Sequence, residues 1–170
     1  ILPALFFVLF SCIPFAWFWL LPKDLKDFAD SLLAVLTFSS NILFWKTSGY
    51  FDTSTELKPL LHTWSLAVEE QYYLFFPIIL LLIWRFSRKW LFALLLIAFI
   101  VSFTAAEWAS INKPATAFYM LPTRVWELLI GVFAALYMLS GEQKYINERL
   151  RNYLGFVGLL LIFLPIFIYD

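Results

Sequence analysis

The stretch LKPLLHTWSLAVEEQYYLFFPIILLLIWR, residues 57–85, combines two features that seldom occur together. From about Trp64 it runs into an apolar segment that is long enough to enter a bilayer as a helix. It also carries the only histidine of the chain, His62, and two adjacent carboxylates, Glu69 and Glu70. Ionisable groups are costly to bury in lipid, so a membrane segment that opens with them is a functional-site hypothesis.

The composition places the chain among membrane proteins. Hydrophobic residues make up 63% of its 170 residues and charged residues 14%, whereas soluble domains carry about 25% charged residues. The formal net charge is zero, which gives no argument for a nucleic-acid partner. Cys12 is the single cysteine, which excludes a disulfide within the chain and a metal site built from cysteines.

Apolar runs of helix-spanning length recur along the chain, and no alternating strands of the outer-membrane barrel type are visible. We therefore predict an all-α fold, a polytopic transmembrane helical bundle with about five to six membrane segments. The predicted segments are 1–21, 28–45, 64–84, 90–106, 125–139 and 153–169.

The second segment, 28–45, is less apolar than the others, since it contains Asp30, Asn41 and several hydroxyl side chains. These groups favour contact with protein or water, so we expect a re-entrant, non-crossing or deeply buried element, and a spanning helix is the alternative. Basic residues at 85–89 and within 140–152 predict that both of these loops are cytoplasmic. The connectors 46–63 and 107–123 then face outward.

If a helix begins near Thr63 or Trp64, Ser65, Glu69 and Tyr73 lie four residues apart and share one stripe. This stripe gathers a hydroxyl, a carboxylate and a phenol, and His62 lies just before it. The alternative interpretation is structural: the acids sit in water at the interface, and the aromatic residues form an interfacial belt.

A second constellation lies in LPTRVWELLIG, residues 121–131. Pro122 and Thr123 predict a helix start, and Arg124 and Glu127, three residues apart, can pair on one face. Arg124 either forms only this ion pair at the membrane edge or holds an anionic or carbonyl group. We expect no metal site, because a single histidine has no cysteine or acid at ligand spacing.

The two stretches together resemble a known family. SNILFWKTSGYFDTSTELKPLLHTWSLAVEEQYYLFFP, residues 40–77, resembles the signature of the bacterial acyltransferase family 3, and LPTRVWELLIG resembles the next motif of that family. The family comprises integral-membrane O-acyltransferases that modify lipopolysaccharide O-antigen, peptidoglycan and other exported glycans. The resemblance implies a multi-pass protein of the bacterial inner membrane. By this resemblance, the expected site residues are His62, Ser65, Glu69 and Tyr73 in the first motif and Arg124 and Glu127 in the second.

The resemblance implies that an acyl group, expected to be acetyl, moves from cytoplasmic acetyl-CoA to a hydroxyl of an exported glycan. On this hypothesis Glu69 orients or charge-stabilises a histidine supplied from outside this chain. Tyr73 and Ser65 donate hydrogen bonds near the transferred group. Arg124 would pair with Glu127, with Glu69 or with the donor, and His62 would lie towards the outer face, near the acceptor sugar.

The family's first-helix histidine, its paired arginines and its later motifs are not in this chain. We therefore expect residues 1–170 to be one membrane-embedded acyltransferase domain that is incomplete at both ends and inactive alone. Two other classes remain open from the residues: a transporter or channel segment with polar groups at the midplane, and a structural membrane protein whose polar residues join its helices.

Overall fold

The computed structural model describes residues 2–48, 58, 60–87, 90–140 and 147–168, with only the backbone at 86, 87, 165 and 168. The described residues are helical and contain no strand, which confirms the predicted all-α class. One 3₁₀ turn, 121–123, precedes α7. The helices are α1 Leu2–Trp19, α2 Pro22–Leu36, α3 Ser40–Lys46, α4 Thr63–Ser87, α5 Leu91–Asn112, α6 Pro114–Tyr119, α7 Val125–Ser140 and α8 Glu148–Ile168.

Three helices of the described chain are long and apolar enough to cross a membrane: Leu2–Trp19, Thr63–Arg85 and Leu91–Asn112. They correspond to the first, third and fourth predicted segments. Val125–Ser140 is a shorter apolar helix at the fifth, and α8 covers most of the sixth. The basic residues at 88 and 89 and the loop residues 141–146, on which the predicted orientation depends, lie outside the described residues.

The second predicted segment is two helices rather than one. The chain breaks between α2 and α3 at Phe38, whose φ of 51° lies in the left-handed region that non-glycine residues seldom adopt. The Ser39 amide donates to the Ala34 carbonyl at 2.8 Å across this break, the bond that closes a Schellman-type helix end. Neither helix has the length of a membrane span, which fits the non-crossing interpretation. The second segment also begins earlier than the predicted residue 28, because Pro22 opens α2 at its first turn.

Helices α1 and α2 share an apolar core. Leu5 and Leu9 from α1 pack with Phe28 and Val35 from α2, and Leu60 joins them with none of its surface exposed. A groove of about 180 Å³ lies beside this core, and Cys12 forms part of its apolar lining. Cys12 is partly buried there, as expected for a small side chain within an apolar run.

Helix α5 runs to Asn112, six residues beyond the end predicted at 106. The predicted connector 107–123 is therefore mostly helical, since α6 and the 3₁₀ turn follow at once. Buried Ser102 ties these elements together. Its hydroxyl donates to the Pro122 carbonyl at 2.7 Å and accepts the Trp126 amide at 3.0 Å, which satisfies an amide in the first turn of α7 that has no partner within its own helix.

The chain forms two compact units, residues 1–127 and 128–170. The first holds α1 to α6, the 3₁₀ turn and the first residues of α7. Every candidate site residue lies in this first unit.

Candidate functional site

Helix α4 begins at Thr63, which confirms the predicted start. One face of the helix is buried: Ala67 is 1% exposed and Val68 4%. The predicted stripe lies on another face. Ser65 is exposed, Glu69 is half-buried and Tyr73 is 55% exposed.

The residues of the stripe do not form one hydrogen-bonded cluster. The Ser65 hydroxyl donates to the backbone carbonyl of His62 at 3.3 Å, while the His62 side chain itself is exposed. The Tyr73 ring meets the Tyr72 ring edge-on, with the centroids 6.2 Å apart. Within the described part of the chain, the Glu69 carboxylate has neither a salt bridge nor a hydrogen bond. The hydroxyl and phenol of the stripe are therefore exposed at the surface of the first unit, and its carboxylate is half-buried there.

Arg124, by contrast, has several partners, although part of its side chain remains exposed. Its Nε donates to the Phe118 carbonyl at 3.0 Å, and one terminal nitrogen lies 3.2 Å from each carboxylate oxygen of Glu127. The guanidinium lies over the ring of Trp64, 4.9 Å from its centroid, and over the ring of Phe118 at 5.2 Å. The predicted pairing of Arg124 with Glu127 is confirmed. The stacking adds a cation–π contact that favours a planar guanidinium.

The rings around Arg124 pack against one another. Trp64 and Phe118 have centroids 4.4 Å apart, and Tyr119 meets Trp64 edge-on at 5.6 Å. Burial raises the pKa of the Tyr119 phenol, so this group stays neutral near pH 7. We call Trp64, Phe118, Tyr119 and Arg124 the aromatic–arginine cluster. It joins the first turn of α4 to α6 and to the start of α7, and so brings the two sequence motifs together.

A buried polar network is hydrogen-bonded to this cluster at the Tyr119 carbonyl. The Gln71 side-chain amide donates to the Phe38 carbonyl at 2.7 Å and to Asn41 Oδ1 at 2.9 Å. Asn41, 1% exposed, donates onward to the Tyr119 carbonyl at 3.1 Å. Ser40 donates to the Thr63 carbonyl at 3.0 Å. These contacts fix the α2–α3 break against α4 and α6, and the only sequence signal for them was the polar character of segment 28–45.

Tyr72 is a further residue that the sequence did not single out as functional. Its side chain is 7% exposed, and its ring stacks on Phe76 with the centroids 4.6 Å apart. Its hydroxyl oxygen is the one buried side-chain polar atom of the described residues that has no hydrogen-bond partner. Such an atom requires an explanation, because an unmade buried hydrogen bond is costly.

The chemistry available to these groups is limited and specific. No group of three His, Cys, Asp or Glu side chains within the described ranges gathers in a way that would hold a metal ion. Glu69 provides a carboxylate that can accept a proton or orient a base. The phenols of Tyr72 and Tyr73 are hydrogen-bond donors of the kind that stabilise a developing oxyanion.

Comparison with known proteins agrees with the resemblance of the two motifs. The chain is 34% identical over 153 residues to an uncharacterized protein of Haemophilus influenzae, an alignment that covers 86% of this chain and 62% of that protein. It is 30% identical over 139 residues to the peptidoglycan O-acetyltransferase OatA of Listeria monocytogenes, covering 77% of this chain and 22% of that enzyme. The chain thus spans less than two thirds of the length of these relatives.

No solved structure matches the chain at a significant level. The family model described as an acyltransferase domain, acyltransferase family 3, matches residues 1–170. The aromatic–arginine cluster joins the two motifs that carry the resemblance, and the family match runs through both. The chain belongs to the acyltransferase 3 family.

Proposed function

We propose that this chain is the membrane-embedded part of an O-acyltransferase that moves an acyl group, in the first instance acetyl, from cytoplasmic acyl-CoA to a hydroxyl of an exported glycan. The observation that carries the proposal is the family match over the whole chain. OatA, whose name describes acetyl transfer to peptidoglycan, supports the choice of acetyl group and glycan acceptor. The protein is proposed to act in the bacterial inner membrane, which agrees with the three helices of spanning length among the described residues.

The reaction requires a base and a means of holding negative charge. The acceptor hydroxyl attacks the thioester carbon, a C–O bond forms and the C–S bond breaks. The hydroxyl proton passes to the base, and the CoA thiolate takes up a proton as it leaves. A positioned base contributes about 10²–10⁴-fold to such a step.

The stripe supplies the chemical groups on this proposal. Glu69 orients or charge-stabilises a histidine from a helix outside residues 1–170, and Tyr73 and Ser65 donate hydrogen bonds near the acyl group. His62 precedes α4 at the end proposed to face outward, where an acceptor sugar arrives. The half-buried position of Glu69 and the exposure of Ser65 and Tyr73 support these roles, because a reacting group must be reachable.

Arg124 and Glu127 take a different role in this proposal. The guanidinium is already occupied by Glu127, by the Phe118 carbonyl and by two rings. We therefore propose that Arg124 positions the start of α4, and with it Glu69, while its exposed edge remains available to a carbonyl or an anionic group.

The test is acetyl transfer by the whole protein in membranes. Cells or vesicles carrying the wild-type protein should transfer radiolabelled acetyl groups from acetyl-CoA to envelope glycan, and cells without it should not. Release of the label by mild base would identify an O-ester. Absence of base-labile label at normal protein abundance would overturn the proposed function.

A transporter segment is the second candidate, favoured by the broken helix pair α2–α3, since discontinuous helices form substrate sites in transporters. The same vesicles distinguish the two. Flux of a glycan or ion without acetyl transfer would favour the transporter. Retention of full activity after alanine substitution of Glu69, Tyr73 and Arg124 would favour a purely structural role for these residues.

A further inference from the structure

We infer that the exposed edge of the aromatic–arginine cluster, together with Glu127, binds a pyranose ring of the acceptor glycan next to the stripe. The inference rests on the proposed function and deepens it, because it gives the acceptor a subsite and names the residues that form it. Three observations carry it: an exposed aromatic ring, surface polar groups with hydrogen bonds still to make, and the position of the cluster at the start of α4.

The cluster presents an aromatic ring at the surface. Phe118 is 46% exposed, although its ring packs against Trp64 at 4.4 Å and the Arg124 guanidinium lies over it at 5.2 Å. Buried Tyr119 meets the same ring edge-on at 4.9 Å, so the ring is fixed before any ligand arrives. Flat apolar groups stack favourably on such a ring, and the C–H face of a pyranose is a group of this kind.

Polar groups with unused hydrogen-bonding capacity adjoin this ring. Arg124 bonds through Nε and Nη1, so within the described residues its Nη2 retains two N–H donors. The Trp64 indole N–H likewise has no hydrogen-bond partner there. Since the Tyr72 hydroxyl oxygen is the one buried side-chain polar atom of that part of the chain without a partner, both of these nitrogens reach the surface. The Glu127 side chain is 44% exposed, and its carboxylate keeps lone pairs beyond its bonds to Arg124.

Donors, acceptors and an apolar ring side by side match the chemistry of a sugar. The hydroxyl groups of a pyranose both donate and accept hydrogen bonds, so a guanidinium and an indole N–H can donate to them and a carboxylate can accept from them. A phosphate of CoA has no hydrogen to donate at neutral pH, and the Glu127 carboxylate would repel it. The surface therefore suits the neutral hydroxyls of the acceptor better than the anionic groups of the donor.

The cluster also lies beside the stripe. Ser65, the first residue of the stripe, directly follows Trp64 and is exposed. Glu69 is five residues from Trp64, about 7.5 Å along the axis of α4. The predicted orientation places the connector 107–123, which contains Phe118, on the outer side, where an exported glycan is found. A glycan bound at the cluster can therefore bring a hydroxyl of the same or the next sugar towards the Glu69 carboxylate.

The experiment measures, by calorimetry on the whole protein in detergent, the binding of a neutral oligosaccharide of N-acetylglucosamine and, separately, of acetyl-CoA. Phe118→Leu should weaken oligosaccharide binding by about threefold to tenfold, as the loss of one aromatic contact implies. Glu127→Gln should weaken it by about fivefold, because a charged acceptor becomes a neutral one. Neither variant should change the affinity for acetyl-CoA. Phe7→Leu is the matched control, the same substitution at a phenylalanine of α1 that is 74% exposed, and should leave both affinities unchanged.

The outcomes separate this inference from the proposed function. If the wild type does not bind the oligosaccharide, or if both variants bind it as the wild type does, the inference is overturned, and acetyl transfer to envelope glycan still decides the proposed function. Weaker binding of acetyl-CoA alone would also overturn it, because the cluster would then serve the donor. If Phe118→Leu loses affinity for both probes, Glu127→Gln decides, since it leaves the packing of the rings intact. Oligosaccharide binding that both variants weaken, in a protein that transfers no acetyl group, would support the sugar subsite and overturn only the proposed function.

Discussion

The two faces of α4 differ in how completely their polar groups are satisfied. Towards α3 and α6, Trp64 stacks on Phe118 and Gln71 bonds both Asn41 and the Phe38 carbonyl. On the stripe, Ser65 bonds only the backbone of its own chain segment, and Glu69 has no polar partner among the described residues. One face holds the unit together and the other leaves reactive groups available. Tests of the chemistry should therefore target the stripe, and tests of stability should target the face towards α3 and α6.

The largest effect is expected on the stripe. Glu69→Gln keeps the shape of the side chain and removes its charge, so acetyl transfer by the whole protein should fall at least about 100-fold. The thermal midpoint should not fall, because no described contact depends on the carboxylate. Rates normalised to protein abundance would measure this.

Glu70→Gln is the matched control, since Glu70 is the adjacent half-buried carboxylate of the same helix. Equal losses in both variants would mean that both acids are required, and that the requirement is not specific to the stripe. An active Glu69→Gln variant would remove Glu69 from the mechanism and would leave the two faces chemically equivalent.

The next effect is on stability and concerns the face of α4 that packs towards α3 and α6. Asn41→Leu removes the acceptor of Gln71 and the donor to the Tyr119 carbonyl, and should lower the free energy of unfolding by about 2–3 kcal/mol, because buried groups lose their partners. Thermal unfolding in detergent measures the loss. Asn112→Ala is the control: its amide bonds only the Trp108 carbonyl of its own exposed helix end, and its effect should stay within about 0.5 kcal/mol. Equal losses would show that the network is not structural.

A smaller loss is expected at Ser102. Ser102→Ala leaves the Trp126 amide and the Pro122 carbonyl without their bridging hydroxyl, a cost of about 1–2 kcal/mol for buried groups. Ser110→Ala, in the same helix, removes a hydroxyl that bonds only the Glu107 carbonyl on an exposed surface, and should change stability little. If the two variants unfold alike, Ser102 does not secure the start of α7.

Local patterns predicted the local features of this molecule. The start of α4 at Thr63 follows from its polar-to-apolar transition, and the Arg124–Glu127 pair follows from i,i+3 spacing. The break at Phe38 could not be predicted, because phenylalanine gives no signal for a left-handed residue. Its stability depends on a Gln71 contact 33 residues away.

The candidate site shows the same division. Periodicity placed Ser65, Glu69 and Tyr73 on one stripe, as the helix has them. It had no means of pairing Trp64 with Arg124, which are 60 residues apart and meet only because α6 folds back between them. Nor could it find an unpaired hydroxyl at Tyr72, because satisfaction of a polar group is a property of the packed structure.

The smallest effect tests whether the aromatic–arginine cluster couples the two faces. Arg124→Lys keeps the charge but loses the planar stacking and the forked contacts, and should cost about 1 kcal/mol of stability. In a double-mutant cycle with Trp64→Leu, the coupling energy should be about 0.5–1 kcal/mol, since Trp64 provides one ring beneath the guanidinium. The same cycle between Arg124→Lys and Trp108→Leu should give no coupling energy, because Trp108 is 58% exposed on α5.

A coupling energy of zero between Arg124 and Trp64 would mean that Arg124 does not position α4. If acetyl transfer by Arg124→Lys falls by more than its loss of stability explains, the face of α4 towards α3 and α6 also affects the activity of the stripe.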